Sequence, residues 1–227
     1  MGGLDSTVIN AQNGFDHEIA LLRDWGRGDR RAGSLLYSRY SQCVQRFFFN
    51  KTRGADEHGD LVHDTFLALR RADAPSTTTG TEDAPLRPFI LGVAHNIFRN
   101  HIRGMARRRR RELDLSRHTL GELQPGASSV VRARRQAQAL MDGLRNIPID
   151  GQVLLELKYF EGLSFNQMAD VLGVGVTCLN GRLARARQQL FEQVRAAALH
   201  PTETCEADAL EAWAAEVHAR IDRRSAR

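Results

Sequence analysis

Asn180, Arg182, Arg185 and Arg187 lie close together, interleaved with Leu179, Leu183, Ala186 and Leu190. The apolar set recurs at steps of three and four, which marks one face of a helix and displaces the polar set to the other sides. The forked donors of Arg match guanine O6 and N7, and the Asn amide matches adenine. The chemistry on offer is hydrogen bonding to bases and phosphates rather than bond making. Such residues need a second element to aim them. Ser164 can cap a helix through Phe165, Met168, Ala169, Val171 and Leu172. Gly173 then supplies a break that tolerates positive φ, and Val174 and Val176 bracket the turn. Small Ala169 lets the two helices approach. The expectation is a helix-turn-helix whose first helix braces and whose second enters the major groove. A plain helical hairpin shares the periodicity, but it does not need the small residue, the glycine turn and the basic second helix together.

Two further clusters invite a functional reading. Arg99, Arg103 and Arg107 to Arg111 form a basic block that raises the prior for a polyanionic partner. Asp60, His63 and Asp64, with Phe66, give a helix an acidic, partly apolar face. Acidic residues are poor DNA contacts, so this face suits a protein partner. His63-Asp64 is also the dipeptide of some metal sites, but no further His and Asp at suitable spacing supports one. His95 and His101, six apart, do not share a helix face. Cys43, Cys178 and Cys205 are odd in number and far apart, which fits a reducing compartment and argues against a disulfide framework or zinc. There is no nucleotide loop, metal cluster or nucleophile–base pairing, so catalytic residues, metals and cofactors are all expected to be none.

The elements that carry these residues are helical. Ala32, Leu35, Leu36, Tyr40, Val44, Phe47 and Phe48 recur at helical steps, as do Leu61, Val62, Phe66 and Leu69. Phe89, Ile90, Val93, Ala94, Ile97, Phe98 and Ile102 do the same, and no period-two strand stands out. Hydrophobic residues make up 42% of the 227, enough for real cores, while aromatics at 7% leave those cores to Leu, Val, Ile and Ala. Residues 73–88 have loop composition, including Thr77, Thr78 and Thr79. Residues 104–129 are polar, charged and end in Gln124-Pro125-Gly126-Ala127-Ser128-Ser129, which reads as a linker. Beyond Pro201, Leu210, Trp213, Val217 and Ile221 form the stripe of a short amphipathic helix. The start of the chain has no apolar leader segment, and no stretch reaches the roughly 18 apolar residues of a membrane span. A cytoplasmic protein without membrane insertion is expected.

Leu163 to Val174 resembles the start of region 4.2 of extracytoplasmic-function (ECF) sigma factors, and Leu183 to Leu190 its end. Leu154 to Gly162 is similar to region 4.1, Asp60 to Phe66 to region 2.2, and Phe89 to Arg103 to region 2.3 running into 2.4. The resemblance covers roughly residues 28–105 and 140–195, two matches in the family's order. It implies an all-α fold of two small helical domains. Residues 15–105 would be region 2 and 135–198 region 4, joined by a linker at 106–134, with extensions at 1–14 and 199–227. It also implies a non-catalytic sigma factor that binds core RNA polymerase, recognises −35 duplex DNA and melts the −10 element.

By the same resemblance, Asp60, His63, Asp64 and Phe66 meet the clamp coiled coil of the polymerase β′ subunit, and region 4 meets the β flap. Phe89, His95, Asn96, Arg99, Asn100 and Arg103 serve −10 binding and melting, with Asn96 holding a flipped base. Asn180, Arg182, Arg185 and Arg187 serve −35 recognition. Arg185 is assigned to base reading, and Arg182 and Arg187 to phosphates. Departures from the family pattern are Phe89 for a common Trp, His63 for Gln, Asn100 for Asp, and Cys178 and Gly181 for Thr and Ser. They leave the promoter sequence open. An anti-sigma factor is left open as a further partner. The competing reading is a helix-turn-helix regulator that acts without core polymerase, but the first 105 residues carry neither a ligand pocket pattern nor the strands of a phospho-acceptor domain.

Overall fold

The computed structural model describes residues 4–49, 51–52, 55–75, 84–112, 140 and 142–197. Among them every regular element is helical, as expected. α1 spans Leu4–Gly26, α2 Arg30–Phe49, α3 Ala55–Arg71 and α4 Arg87–Glu112. A helical turn at 142–146 precedes α5 (Ile149–Leu155), which passes into one π-helical turn, Glu156–Phe160. α6 (Phe165–Leu172) and α7 (Val176–Ala197) complete the set.

Local chemistry sets the helix ends. The Asp29 carboxylate accepts from the backbone N–H groups of Arg31 and Ala32 at 2.8 and 3.4 Å, satisfying donors that the first turn of α2 leaves free. Asp56 and Glu57 open α3 while Arg70 and Arg71 close it, the arrangement that complements the helix dipole.

α1 to α4 enclose one apolar core. Val44, Phe48, Leu91 and Ala94 have no exposed surface. The Phe47, Phe48 and Phe98 rings meet edge-on or tilted with centroids 5.2 to 6.5 Å apart, a geometry aromatic rings prefer over face-to-face stacking. Phe98 is therefore core. A polar strap crosses this core at Tyr40. Its hydroxyl donates to Glu18 on α1 and accepts the Leu86 N–H at 3.3 Å, while Arg39 pairs with Glu18 at 2.8 Å. Burial, with Glu18 alongside, holds the phenol well above its ordinary pKa. Burial likewise pushes the Cys43 thiol up to about 12, leaving it an inert packing group.

The helices from residue 142 onward build around Leu144, Leu155, Leu157, Met168, Leu179 and Leu190, all nearly inaccessible. This second group does not stand apart. α4 packs along α6, and a Cβ built on Gly92 would make ordinary van der Waals contact with the Val171 backbone, 3.7 Å from its Cα.

Two boundaries differ from expectation. α4 runs on through Glu112, past the expected end of region 2 at 105, so the backbone of Arg107 to Arg111 is helical rather than linker. Arginine is a good helix former, and five in a row extend a helix where composition alone reads tether. α1 starts at Leu4, inside the expected 1–14 extension. The Thr77–Thr79 loop, the remainder of the 106–134 segment and the 199–227 extension with its Leu210, Trp213, Val217 and Ile221 stripe lie outside the described residues.

At Gly33 an added Cβ would sit 2.3 Å from Trp25 Nε1, so α1 and α2 approach over a missing side chain. Gly33→Ala is expected to displace Trp25 and destabilise the chain by about 1–3 kcal/mol, the usual cost of overpacking, read as a lowered midpoint in urea unfolding.

Candidate nucleic-acid interface

The turn between α6 and α7 is built by local rules. The Ser164 hydroxyl accepts from the Gln167 N–H at 3.3 Å, and the Gln167 side chain accepts from the Ser164 N–H at 2.7 Å, a complete capping box. α6 stops at Gly173, whose φ of 64° lies in the left-handed region that a side chain resists. The Gly173 and Val174 N–H groups both reach back to the Ala169 carbonyl, the latter at 3.2 Å, which closes the helix end. Cys178 N–H to Gly175 carbonyl, 3.1 Å, starts α7.

α7 is sharply two-faced. Leu179, Leu183, Ala186 and Leu190 are buried, while Asn180, Arg182 and Arg185 are exposed. Neither arginine is paired with a carboxylate among the described residues. Arg185 only touches the carbonyl of Gly181 in its own helix, at 3.4 Å. Arg187 differs: it is half-buried and donates to the Tyr159 hydroxyl at 3.5 Å. The −35 residues named from sequence thus share one helix, three of them free to meet solvent and the fourth leaning on the π-helical turn.

On α4, Asn96, Arg99, Asn100 and Arg103 form an exposed polar face, and Phe89 is half-buried beside the core. His95 does not join them. It is 7% exposed and turned toward the second group of helices, with no hydrogen-bond partner at Nδ1. The α4 face that bears it is covered. Burial, then Arg99 on its own helix, pushes the imidazole down to about 4. Lys51 at the end of α2 adds to this and Asp150 on α5 opposes it.

On α3, Asp60, His63 and Asp64 are exposed. Phe66 is buried, its ring 4.7 Å from Tyr37 and 6.4 Å from Trp25, so it shapes the surface from beneath. Above it lies an open groove of ≈ 520 Å³ lined by Trp25, Tyr37, Val62, His63 and Leu67. The His101 imidazole meets Glu57 at 2.7 Å and ties α4 to α3. Among the described residues no group of His, Cys, Asp and Glu could hold a metal ion, and no helix is long and apolar enough to cross a membrane.

Sequence reasoning missed a charged cluster between the two groups of helices. Lys51, whose side chain has no exposed surface, donates to Glu156 and to the Phe47 carbonyl and stands 3.9 Å over the Phe47 ring. Arg46 meets Glu161 at 3.4 Å. Burial pushes the Lys51 ammonium well below its ordinary range, and the Glu161 charge pulls the other way. The sequence did hold one signal. Glu156 sits in Leu154-Leu155-Glu156-Leu157, an acid inside an apolar run, which is exceptional unless it is paired.

A capped helix-turn-helix with an exposed Asn180–Arg182–Arg185 face, set on a four-helix body with a second exposed polar face, is the architecture of a helix-turn-helix protein with a helical partner domain. Comparison with known proteins then specifies the class. The family model described as ECF sigma factor matches residues 18–196. The chain is 28% identical to RNA polymerase sigma factor HrpL of Pseudomonas syringae pv. syringae over 161 residues, 67% of this chain and 82% of that one. It is 26% identical to RNA polymerase sigma factor CnrH of Cupriavidus metallidurans over 191 residues, 78% of this chain and 94% of the relative. Two solved structures share the fold. One is CnrH in complex with the cytosolic domain of CnrY, with TM-score 0.53 and 22% identity over 80% of this chain and 99% of that chain. The other is RpoE of Bartonella quintana in complex with the anti-sigma factor NepR, with TM-score 0.54 and 17% identity over 73% and 98%.

The chain belongs to the ECF sigma factor family. It is a sigma factor, binding core RNA polymerase and directing it to promoters for transcription initiation, and the regulator without polymerase is set aside.

His95 gives the fold a pH dependence of definite sign. Its ordinary pKa is 6.5 and its folded value about 4, so on acidification the unfolded chain takes up a proton before the folded one does. Its contribution to stability is intact above about pH 6.5 and is lost as pH falls toward 4. His95→Gln, which does not titrate, is expected to flatten the wild-type stability profile across that window, measured by urea unfolding at stepped pH.

Proposed function

We propose that α7 reads the −35 element, with Arg185 on a base edge, Asn180 on a second base, and Arg182 and Arg187 on phosphates. The observation that carries this reading is the exposed, carboxylate-free Asn180–Arg182–Arg185 face over a fully buried apolar stripe. A helix so divided is held in place by its core and has its donors to spare.

In the same proposal the exposed face of α4 meets the melted −10 strand. Asn96 hydrogen-bonds an unstacked base, and Arg99, Asn100 and Arg103 follow the backbone, with helical Arg107 prolonging the basic track. Half-buried Phe89 contributes at the edge, and His95 acts there only once its face of α4 is uncovered. No nucleotide-driven step is needed, because contacts to the opened strand offset the unstacking cost of a few kcal/mol per step. Residues 15–105 and 135–198 act as the two working units.

Core polymerase is met through α3. Asp60, His63 and Asp64 are exposed on α3, and His63 lines the groove together with Trp25, Tyr37 and Phe66. An acidic helix face beside a partly apolar groove suits the β′ clamp coiled coil, and the second group of helices would meet the β flap. Work on promoters with this partner places the protein in the cytoplasm. An anti-sigma factor is a further partner in this proposal, supported by the two complexes in which similar folds were solved.

Two measurements test the proposal. Arg185→Ala is expected to cost about 1–3 kcal/mol of −35 affinity and to relax preference at one base pair. Competition gel shifts with single-base variants report this, and an unchanged preference removes Arg185 from base reading. Asp60→Lys with Asp64→Lys is expected to abolish co-purification with core polymerase while leaving −35 duplex binding intact. Retained co-purification excludes α3 as the docking face.

A further inference from the structure

The groove between α2 and α3 is apolar along its middle, where Trp25, Tyr37, Val62 and Leu67 line it, and Tyr37 is 46% exposed there. Its two ends carry opposite charge. Arg70 follows Leu67 by one turn of α3, and Arg30 precedes Tyr37 by two turns of α2. α3 ends against α1, where a Cβ on Gly26 would lie 3.3 Å from the Arg70 carbonyl. Arg30, Arg70 and Arg71 are exposed, and none is paired with a carboxylate among the described residues. At the other end His58 and Gly59 line the groove, and exposed Asp56 and Asp60 flank them in the sequence. A continuous apolar surface rimmed by charge marks a place where another segment sits.

The chain holds a segment of matching pattern. Leu210, Trp213, Val217 and Ile221 recur at helical steps, the spacing of anchors that lay one helix into a groove. From 201 to 216 every charged residue is an acid: Glu203, Glu206, Asp208, Glu211 and Glu216. Arg220, Arg223 and Arg224 follow, against Asp222 alone. An apolar stripe that is acidic at its start and basic at its end complements a groove that is basic at one end and acidic at the other. A short amphipathic stretch gains its helix from tertiary support, so seating favours both partners. The reach is sufficient. α7 ends at Ala197, and the roughly 13 residues to Leu210 span about 45 Å when extended. A folded body of this size is about 40 Å across.

We propose that residues 206–224 of the same chain occupy the α2–α3 groove, with Trp213 over Tyr37 and Phe66. The leading acids turn toward Arg30, Arg70 and Arg71, and the trailing arginines toward Asp56 and Asp60. Core polymerase must then displace this segment to reach α3. That consequence, unlike the seat itself, rests on the assignment of α3 to polymerase above.

The test is photo-cross-linking in the full chain. Replacing Trp213 by p-benzoylphenylalanine keeps an aromatic ring at the anchor and, on irradiation, joins it to whatever covers it. Mass spectrometry of a mixture of isotope-labelled and unlabelled chains should place the main adduct on groove residues such as Tyr37 or Leu67, within one chain. Arg30→Glu with Arg70→Glu should lower the yield about fivefold, and adding Glu206→Arg with Glu211→Arg should restore it. Adducts outside the groove, adducts joining labelled to unlabelled chains, or a yield indifferent to the charge reversals overturn the proposal. Deleting 202–227 should tighten binding to core polymerase about tenfold, because the groove is then always open. If the groove adduct forms and the deletion leaves polymerase affinity unchanged, the assignment of α3 to polymerase fails and the seat stands.

Discussion

A lysine ammonium with no exposed surface, paired with a carboxylate on a different group of helices, is the interaction around which this molecule is arranged. Lys51 follows the end of α2 and Glu156 opens the π-helical turn. That turn contains the wider i to i−5 bond from the Glu161 N–H to the Glu156 carbonyl. It carries Glu156 and brings Glu161 up behind it, so both acids face the basic end of α2. Single π turns are rare and concentrate where a helix has a task beyond packing. Here the turn aims two carboxylates at one surface, and α6 and α7 follow from it in fixed orientation.

Much of the remainder was legible because it obeys short-range rules. Ser164 and Gly173 announce a capped helix and its stop within ten residues of sequence, and the stripe from Leu179 to Leu190 fixes which side of α7 is bare. Three of the four amino-terminal helices, α2 to α4, were readable from the same periodicity, whereas α1 was not read from the sequence. The charged contact was not. Periodicity says that a residue lies on a helix face, but not which other element covers that face. His95 therefore looked equivalent to Asn96 and Arg99, whereas the structure separates them by one step around α4. Lys51, Arg46 and Glu161 resemble ordinary solvated residues near helix ends, and their burial depends on partners more than a hundred positions away. Composition misled at Arg107 to Arg111, where charge density suggests a tether and backbone propensity continues the helix.

Charged side chains take two opposite roles in this fold. On α7, exposed Arg182 and Arg185 lie opposite an apolar stripe and are paired with no carboxylate among the described residues, which keeps their donors available. Between α2 and the π-helical turn, Lys51 and Arg46 are matched one to one with acids, leaving little for a polyanion to attract. The overall formal charge of +5 does not distinguish these roles, because it counts every ionisable group alike. The difference lies in which positive groups have been neutralised by the chain itself.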